Sequence, residues 1–244
     1  MYKMKKRLDQ FIFEKGMTDS RTKAQALIMA GLVFVNGEIK DKVGFLVGDD
    51  VTVTIKKSFP YVSRGALKLE EAFKEFDLDF QDKTVCDVGS STGGFSDFVL
   101  QKGAKKVFAI AVGRGQLDLK LRENPKVVVM EKTDFRDVKE LPDEIEYFVC
   151  DVSFISLKKI IPCIKQLFSK KSQAIVLIKP QFEVGKKEVD RGKGVIRDEN
   201  IRQGAIDDIT NFVLEEGFKV LGLVESPITG AKGNVEYLLW FGAK

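Results

Sequence analysis

The sequence contains no histidine. Its absence removes Ser-His-Asp hydrolysis, Cys-His nucleophiles and histidine-ligated zinc, and leaves acid–base work to Lys, Asp, Glu or Tyr. Cysteine is scarce: Cys86, Cys150 and Cys163 are the whole complement, far apart and odd in number. That usage suits reduced thiols in a core better than a disulfide frame or a metal knuckle, so no metal is expected. No apolar run approaches the roughly 18 residues of a membrane span, and no apolar segment follows the basic start Met1 to Asp9. The expected location is the cytoplasm, with no membrane partner.

What is present is ordinary for a folded protein: 244 residues, 44% hydrophobic and 31% charged, with a net charge of +4. The length allows one large domain, or a large domain and a small module. Charge is placed unevenly. Residues 1–60 hold 11 Lys/Arg against 7 Asp/Glu, while the rest of the chain holds 29 of each sign, so the basic excess sits in the N-terminal quarter. Such an excess fits phosphate backbones or anionic membranes, and a solvated charged face equally well.

Apolar spacing then divides the chain. Leu8, Phe11 and Ile12 have helical spacing within residues 7–15, and Gly16 suits the position past a helix end. Ser20 is placed to cap a second helix over 21–30, with Ala24, Leu27 and Ile28 as its inner face. Leu32 to Val35 runs into Asn36-Gly37, a strong hairpin signal, and residues 51–55 alternate like a strand. Residues 1–56 therefore read as a small α+β module of two helices on a small sheet. Residues 57–63 read as a linker around Pro60. Across 64–244 a helix is expected over 64–76. Apolar runs at 84–88, 106–112, 127–130, 147–152, 174–178, 219–224 and 235–241 then alternate with helix-length stretches. That pattern predicts βαβ units and a largely parallel sheet, a Rossmann-like α/β domain.

The most informative segment is Asp87-Val88-Gly89-Ser90-Ser91-Thr92-Gly93-Gly94-Phe95, an apolar strand entering a glycine-rich turn that opens a helix. Glycines there let backbone approach a nucleotide-like ligand at the carboxyl end of a strand. The Gly-x-x-x-Gly-Gly spacing differs from the Gly-x-Gly-x-x-Gly of dinucleotide binders and points to S-adenosylmethionine, which has no phosphate. A tight strand–helix turn without a ligand also fits. Asp151 and Lys179 close two further apolar runs, so both are expected at the same crevice. Glu236 interrupts the run Val235-Tyr237-Leu238, and Lys68 lies on the helix before the first long strand. By themselves these four charges fit a catalytic set and structural ion pairs alike.

Two groups of motifs carry a resemblance. Arg7-Leu8-Asp9, Ser20-Arg21-Thr22-Lys23-Ala24 and Val33-Phe34-Val35-Asn36-Gly37 resemble the S4-like RNA-binding domain. Val62-Ser63-Arg64-Gly65-Ala66-Leu67-Lys68-Leu69, Asp87 to Phe95, Cys150-Asp151-Val152-Ser153-Phe154-Ile155-Ser156, Ile178-Lys179-Pro180-Gln181-Phe182-Glu183 and Gly233-Asn234-Val235-Glu236-Tyr237 resemble the TlyA family, also labelled hemolysin A. That family joins an S4-like domain to an FtsJ-like ribose methyltransferase. The resemblance implies a catalytic tetrad on Lys68, Asp151, Lys179 and Glu236, with S-adenosylmethionine as methyl donor. It also implies ribosomal RNA as partner, modified at a cytidine 2′-hydroxyl. Donor contacts are expected from Asp87, Gly89, Ser90, Gly93, Gly94, Phe95, Ala111, Val112, Asp134, Phe135 and Asp151, with Asp134 available for the adenine amino group. Arg7, Arg21, Lys23 and Arg64 are expected to contact RNA.

For Lys179 to act as base, its amine must lose a proton, which burial, a second cation from Lys68 and the donor's own positive sulfur all favour. One residue departs from the family: where members carry an acid at the end of the second strand to grip the donor's ribose diol, this chain has Ala111. Its loss motivates a second reading, a ribosome-associated RNA-binding factor with little or no turnover. A membrane-damaging hemolysin is a third, opposed by the missing span and the missing cationic amphipathic helix. Two glycine-rich stretches, 184–197 with five basic residues and 226–234, read as RNA clamps or as surface loops.

Overall fold

The structure, a computed structural model, describes residues 5–29, 31–56 and 59–244. Residues 1–4 of the basic start, Ala30 of the expected second helix, and Lys57 and Ser58 of the expected linker lie outside the described residues. The chain divides into two compact units, Met1–Pro60 and Tyr61–Lys244.

In the first unit, the apolar stripe of α1 (Leu8–Glu14) meets that of α2 (Arg21–Met29): Leu8, Phe11, Ile12, Ala24 and Ile28 pack with Val33, Val35 and Val47. The Ser20 hydroxyl accepts from the Lys23 N–H at 3.1 Å, which caps α2 as expected. Asn36 (φ 51°) and Gly37 (φ 85°) both take the left-handed backbone that a two-residue hairpin needs. They join β2 (Val33–Val35) to β3 (Glu38–Ile39), and β5 (Val53–Ile55) pairs with the other side of β2. A further pairing, Lys6–Arg7 with Leu46–Val47 (β1 with β4), was not legible, because strands of two residues carry no periodicity.

In the second unit, α3 (Ala66–Glu75) precedes a seven-stranded sheet. Its strands are β6 (Thr84–Val88), β7 (Lys106–Ala111), β8 (Val127–Glu131), β9 (Ile145–Cys150), β10 (Phe168–Ile178), β11 (Phe218–Glu225) and β12 (Tyr237–Ala243), in the order β11-β12-β10-β9-β6-β7-β8. Only β12 runs against its neighbours. Successive residues face opposite sides, so Cys86, Phe108 and Val176 join one core while Val85, Val107 and Ile175 join the other. The first core is covered by α6 (Ile161–Gln166) and α9 (Glu199–Glu215), the second by α3 and α4 (Gly94–Gln101). Short helices α5 (Leu119–Arg122), α7 (Pro180–Glu183) and α8 (Lys186–Arg191) complete the unit. Cys86 and Cys150 are buried free thiols whose burial pushes their pKa up, as suits structural residues.

Most element ends differ from expectation by one or two residues, and β10 differs by more. β10 begins at Phe168 rather than at 174, because Ser172 satisfies the Ile145 carbonyl with a 2.5 Å bond and lets a polar stretch join the sheet. β9 ends at Cys150 rather than at 152. β12 begins at Tyr237, so Glu236 precedes the strand instead of lying inside it.

Candidate active site

The chain order turns outward in both directions from the central pair β6 and β9, and their carboxyl ends open a crevice there. At its floor the Asp151 N–H donates to the Val88 carbonyl at 3.0 Å. Gly89 has φ 85°, and a Cβ there would stand 2.7 Å from the Asp151 carbonyl oxygen. Both conditions require glycine.

The four expected catalytic side chains meet at this point. Lys179 Nζ lies 2.5 Å from Asp151 Oδ1 and donates to Ser153 Oγ at 2.8 Å. Lys68 Nζ lies 3.5 Å from Asp151 Oδ2 and 2.6 Å from Glu236 Oε2. The result is a chain of alternating charge, Lys179–Asp151–Lys68–Glu236, with Lys179, Lys68 and Glu236 buried. Burial of so many charges is tolerable only because each faces an opposite one. Lys68 is therefore not a bare cation facing Lys179: Asp151 stands between them, and Glu236 offsets the Lys68 charge. A Cβ on Gly230 would overlap the Glu236 carboxylate, so the loop before β12 closes over this end of the chain. That loop is joined to the basic stretch by Asn234, which accepts from the Ile196 N–H at 3.0 Å and donates to the Gly194 carbonyl at 2.8 Å.

Beside the charge chain the crevice has two lobes. The larger, about 610 Å³, is lined by Gly89, Ile110, Ala111, Val112, Phe135 and Asp134, among others. The smaller, about 250 Å³, is polar and includes Ser63, Asp87, Ser90, Gly94, Phe95 and Lys179. Gly89, Asp151 and Ser153 line both. An apolar lobe for a base and ribose and a polar lobe, lined by Lys179, for an amino-acid group fit S-adenosylmethionine, and the size suits a ligand of that class. Asp87 is buried and accepts from Ser96 through both its N–H (3.0 Å) and its hydroxyl (2.6 Å). Burial, opposed by those bonds and reinforced by the Asp151 charge, pushes its pKa up to about 7.

Two expected donor contacts have further partners within the protein. Gly93 lines neither lobe; its φ of 93° and its packing against Leu117 and Leu121 account for the glycine. Asp134 lines the larger lobe, and its carboxylate is held by the Arg136 guanidinium at 2.6 to 3.2 Å, which keeps its pKa low.

Several site residues were not singled out from sequence. Ser153 lies two residues after Asp151, but nothing in its spacing shows that it binds Lys179. Glu183 accepts from the Ser156 hydroxyl (2.6 Å) and the Leu157 N–H (3.0 Å), and so fixes the loop that follows Asp151. Burial pushes its pKa up against those bonds. Phe154, on that loop, is 91% exposed with φ 63°, and its ring lies 5.1 Å from that of Phe182. A bulky residue held in this way is a costly feature to keep at a cavity mouth.

Of the expected RNA contacts, Arg7 and Arg21 direct Nε to the two oxygens of Asp9, at 3.1 and 2.8 Å. Asp9 is fully buried and also accepts from Gln25 at 2.8 Å. Burial pushes its pKa up, but the bonds from Arg21, Gln25 and Arg7 outweigh that and hold it far below the usual carboxylate range. Lys23 is paired with Asp19 on the surface. Arg64 is exposed between Ser63 and Gly65, both of which line the smaller lobe.

A family model for FtsJ-like methyltransferases matches residues 61–243, and one for the S4 domain matches residues 6–53. The chain is 37% identical to the 16S/23S rRNA (cytidine-2′-O)-methyltransferase TlyA of Mycobacterium tuberculosis, over 96% of this chain and 88% of the relative. The chain belongs to the TlyA family of FtsJ-like methyltransferases. It is 44% identical to a candidate rRNA methyltransferase of Bacillus subtilis, YqxC, over 98% of this chain and 86% of that one. Among solved structures, a candidate hemolysin from Streptococcus thermophilus superposes with a TM-score of 0.74 at 38% identity, covering 99% of this chain and 90% of that one. Among the described residues of this TlyA-family chain, no helix is long and apolar enough to cross a membrane, and no group of three or more His, Cys, Asp or Glu could hold a metal.

Proposed function

We propose that the protein transfers the methyl group of S-adenosylmethionine to a ribose 2′-hydroxyl of ribosomal RNA in the cytoplasm, using Lys179 as base. The observation that carries this is the buried charge chain ending in Lys179, which lines the smaller lobe and is held by Asp151 and Ser153, two residues that line both lobes. Cytidine as the modified nucleotide is taken over from the relatives named for it.

When bound, S-adenosylmethionine supplies an electrophilic methyl on a positively charged sulfur, and that charge disfavours a second positive charge on the amine beside it. Asp151 and Ser153 fix Lys179 Nζ, so the amine faces an incoming hydroxyl without having to search for it. Once Lys179 has given up one ammonium proton to solvent, the ribose oxygen forms its bond to the methyl carbon as the carbon–sulfur bond breaks, and the hydroxyl proton passes to the neutral Nζ. Lys68, held in turn by Glu236, supports Asp151 from behind. Phe154 offers an exposed ring on which an unstacked base can rest, and Arg64, Arg7 and Arg21 grip phosphate.

The test is transfer of labelled methyl to separated, unmethylated ribosomal subunits, followed by mapping of the product. A 2′-O-methylated nucleotide in one RNA supports the reading; label on a base, or none, overturns it. A non-catalytic binding factor is the competing reading, which Ala111 favours. It predicts RNA binding with no detectable S-adenosylmethionine affinity, with or without RNA.

A further inference from the structure

The ribose corner of the larger lobe lacks its usual carboxylate but is not without a polar group. β7 ends in Ala111, and the next strand, β8, places Glu131 beside it as its paired neighbour. Glu131 does not line the lobe. Its carboxylate accepts from the N–H groups of Gly115 and Gln116 (the latter at 3.2 Å) and is paired with the Arg122 guanidinium, which also donates to the Leu117 carbonyl at 3.2 Å. The carboxylate nearest to Ala111 thus fastens the loop 113–117 instead of facing a ligand.

That loop carries Gln116 back over the end of β7. Its carboxamide lies on Gly113 so closely that a Cβ there would overlap Oε1 and Nε2, so Gly113 makes the room. Gln116 lines the larger lobe together with Ala111 and Val112, and it is exposed there, so its carboxamide is open to a ligand in the lobe. An amide presents one acceptor and one donor side by side. Two neighbouring hydroxyls match it, one donating to Oε1 and the other accepting from Nε2.

We infer that Gln116 recognises the ribose 2′,3′-diol of the methyl donor, in place of the carboxylate that Ala111 has lost. This rests on the cofactor reading above. A neutral pair of hydrogen bonds is weaker than a charge-assisted one, so the donor is held less tightly than a carboxylate would hold it.

Calorimetry with S-adenosylhomocysteine and its 2′-deoxy and 3′-deoxy analogues tests the contact. Gln116→Ala is expected to weaken S-adenosylhomocysteine binding about 2- to 10-fold, the range of neutral hydrogen bonds. Removing a ribose hydroxyl is expected to cost affinity in the unsubstituted protein and to cost none further in Gln116→Ala. Gly113→Ala, which displaces the carboxamide without removing it, should reproduce the loss, and Ala111→Asp added to Gln116→Ala should restore the affinity. If Gln116→Ala discriminates between the ligands as the unsubstituted protein does, Gln116 does not touch the diol and the inference is overturned. If the unsubstituted protein binds S-adenosylhomocysteine nowhere, the cofactor reading fails first and takes this one with it.

Discussion

Asp9 in the first unit and Asp151 in the second each hold two cations, and the two arrangements are opposite in sense. Asp9 is buried at the centre while the arginines on either side of it are 47% exposed, so their remaining N–H groups point outward. Asp151 binds two lysines whose side chains are only 8% and 10% exposed, so their charges point inward. Outward cations grip a polyanion over several nucleotides and are screened by salt. Inward cations are held to a single position, which is what proton transfer at one oxygen requires. On the proposed function, one ion-pair chemistry serves binding in one unit and reaction in the other, and burial of the cation makes the difference.

The comparison is broken most severely by unpairing the inward set. Lys68→Met leaves Glu236 buried without its partner and should cost about 3 to 5 kcal/mol of stability in denaturant unfolding, largely recovered in Lys68→Met/Glu236→Leu. Arg21→Ala, at the outward set, should cost less than about 1 kcal/mol, since Asp9 keeps Arg7 and Gln25. Comparable losses for the two would erase the distinction.

A smaller effect separates the carboxyls by pH. Asp87 sits near 7 against an ordinary 3.8, so between those values the folded protein keeps a proton that the unfolded chain has lost. Stability should therefore fall as pH rises from about 4 to about 7, by up to about 1.4 kcal/mol per pH unit. Thermal melts of Asp87→Asn should be flatter over that window. Asp9 is shifted the other way, and its stabilising bonds persist until the pH falls below the usual carboxylate range.

Smaller again is the effect of Asp9→Asn on RNA binding, but its sign is decisive. Removing a negative charge from a basic surface would tighten binding if net charge were all that mattered. If Asp9 orients Arg7 and Arg21, affinity should instead weaken by about 10-fold in a filter or calorimetric titration. The smallest expected change is in the salt dependence: Arg21→Ala should lower the slope of log affinity against log salt by about one, while Lys179→Ala leaves it alone.

The architecture was legible because its signals are local and periodic. Seven apolar runs marked the seven strands, Asn36-Gly37 marked the hairpin, and Gly89 and Gly94 marked the turn into α4. The four charged residues could be proposed as a set, yet their order in space could not. That Asp151 separates Lys179 from Lys68 depends on side chains from a helix, two strand ends and the residue before β12. The involvement of Ser153, the aromatic pair Phe154–Phe182 and the fold of Gln116 over Gly113 are likewise products of loop geometry, where no period exists to read.

The central claim is that the inward lysine set carries the reaction and the outward arginine set carries binding. Single-turnover methyl transfer by Lys179→Ala, measured beside its affinity for the same RNA, tests this most directly. The expected result is a rate lower by about 100- to 10,000-fold, the range for loss of a positioned base, at unchanged RNA affinity. A rate within a few-fold of the unsubstituted protein, or a rate that falls only as far as RNA affinity falls, would contradict it.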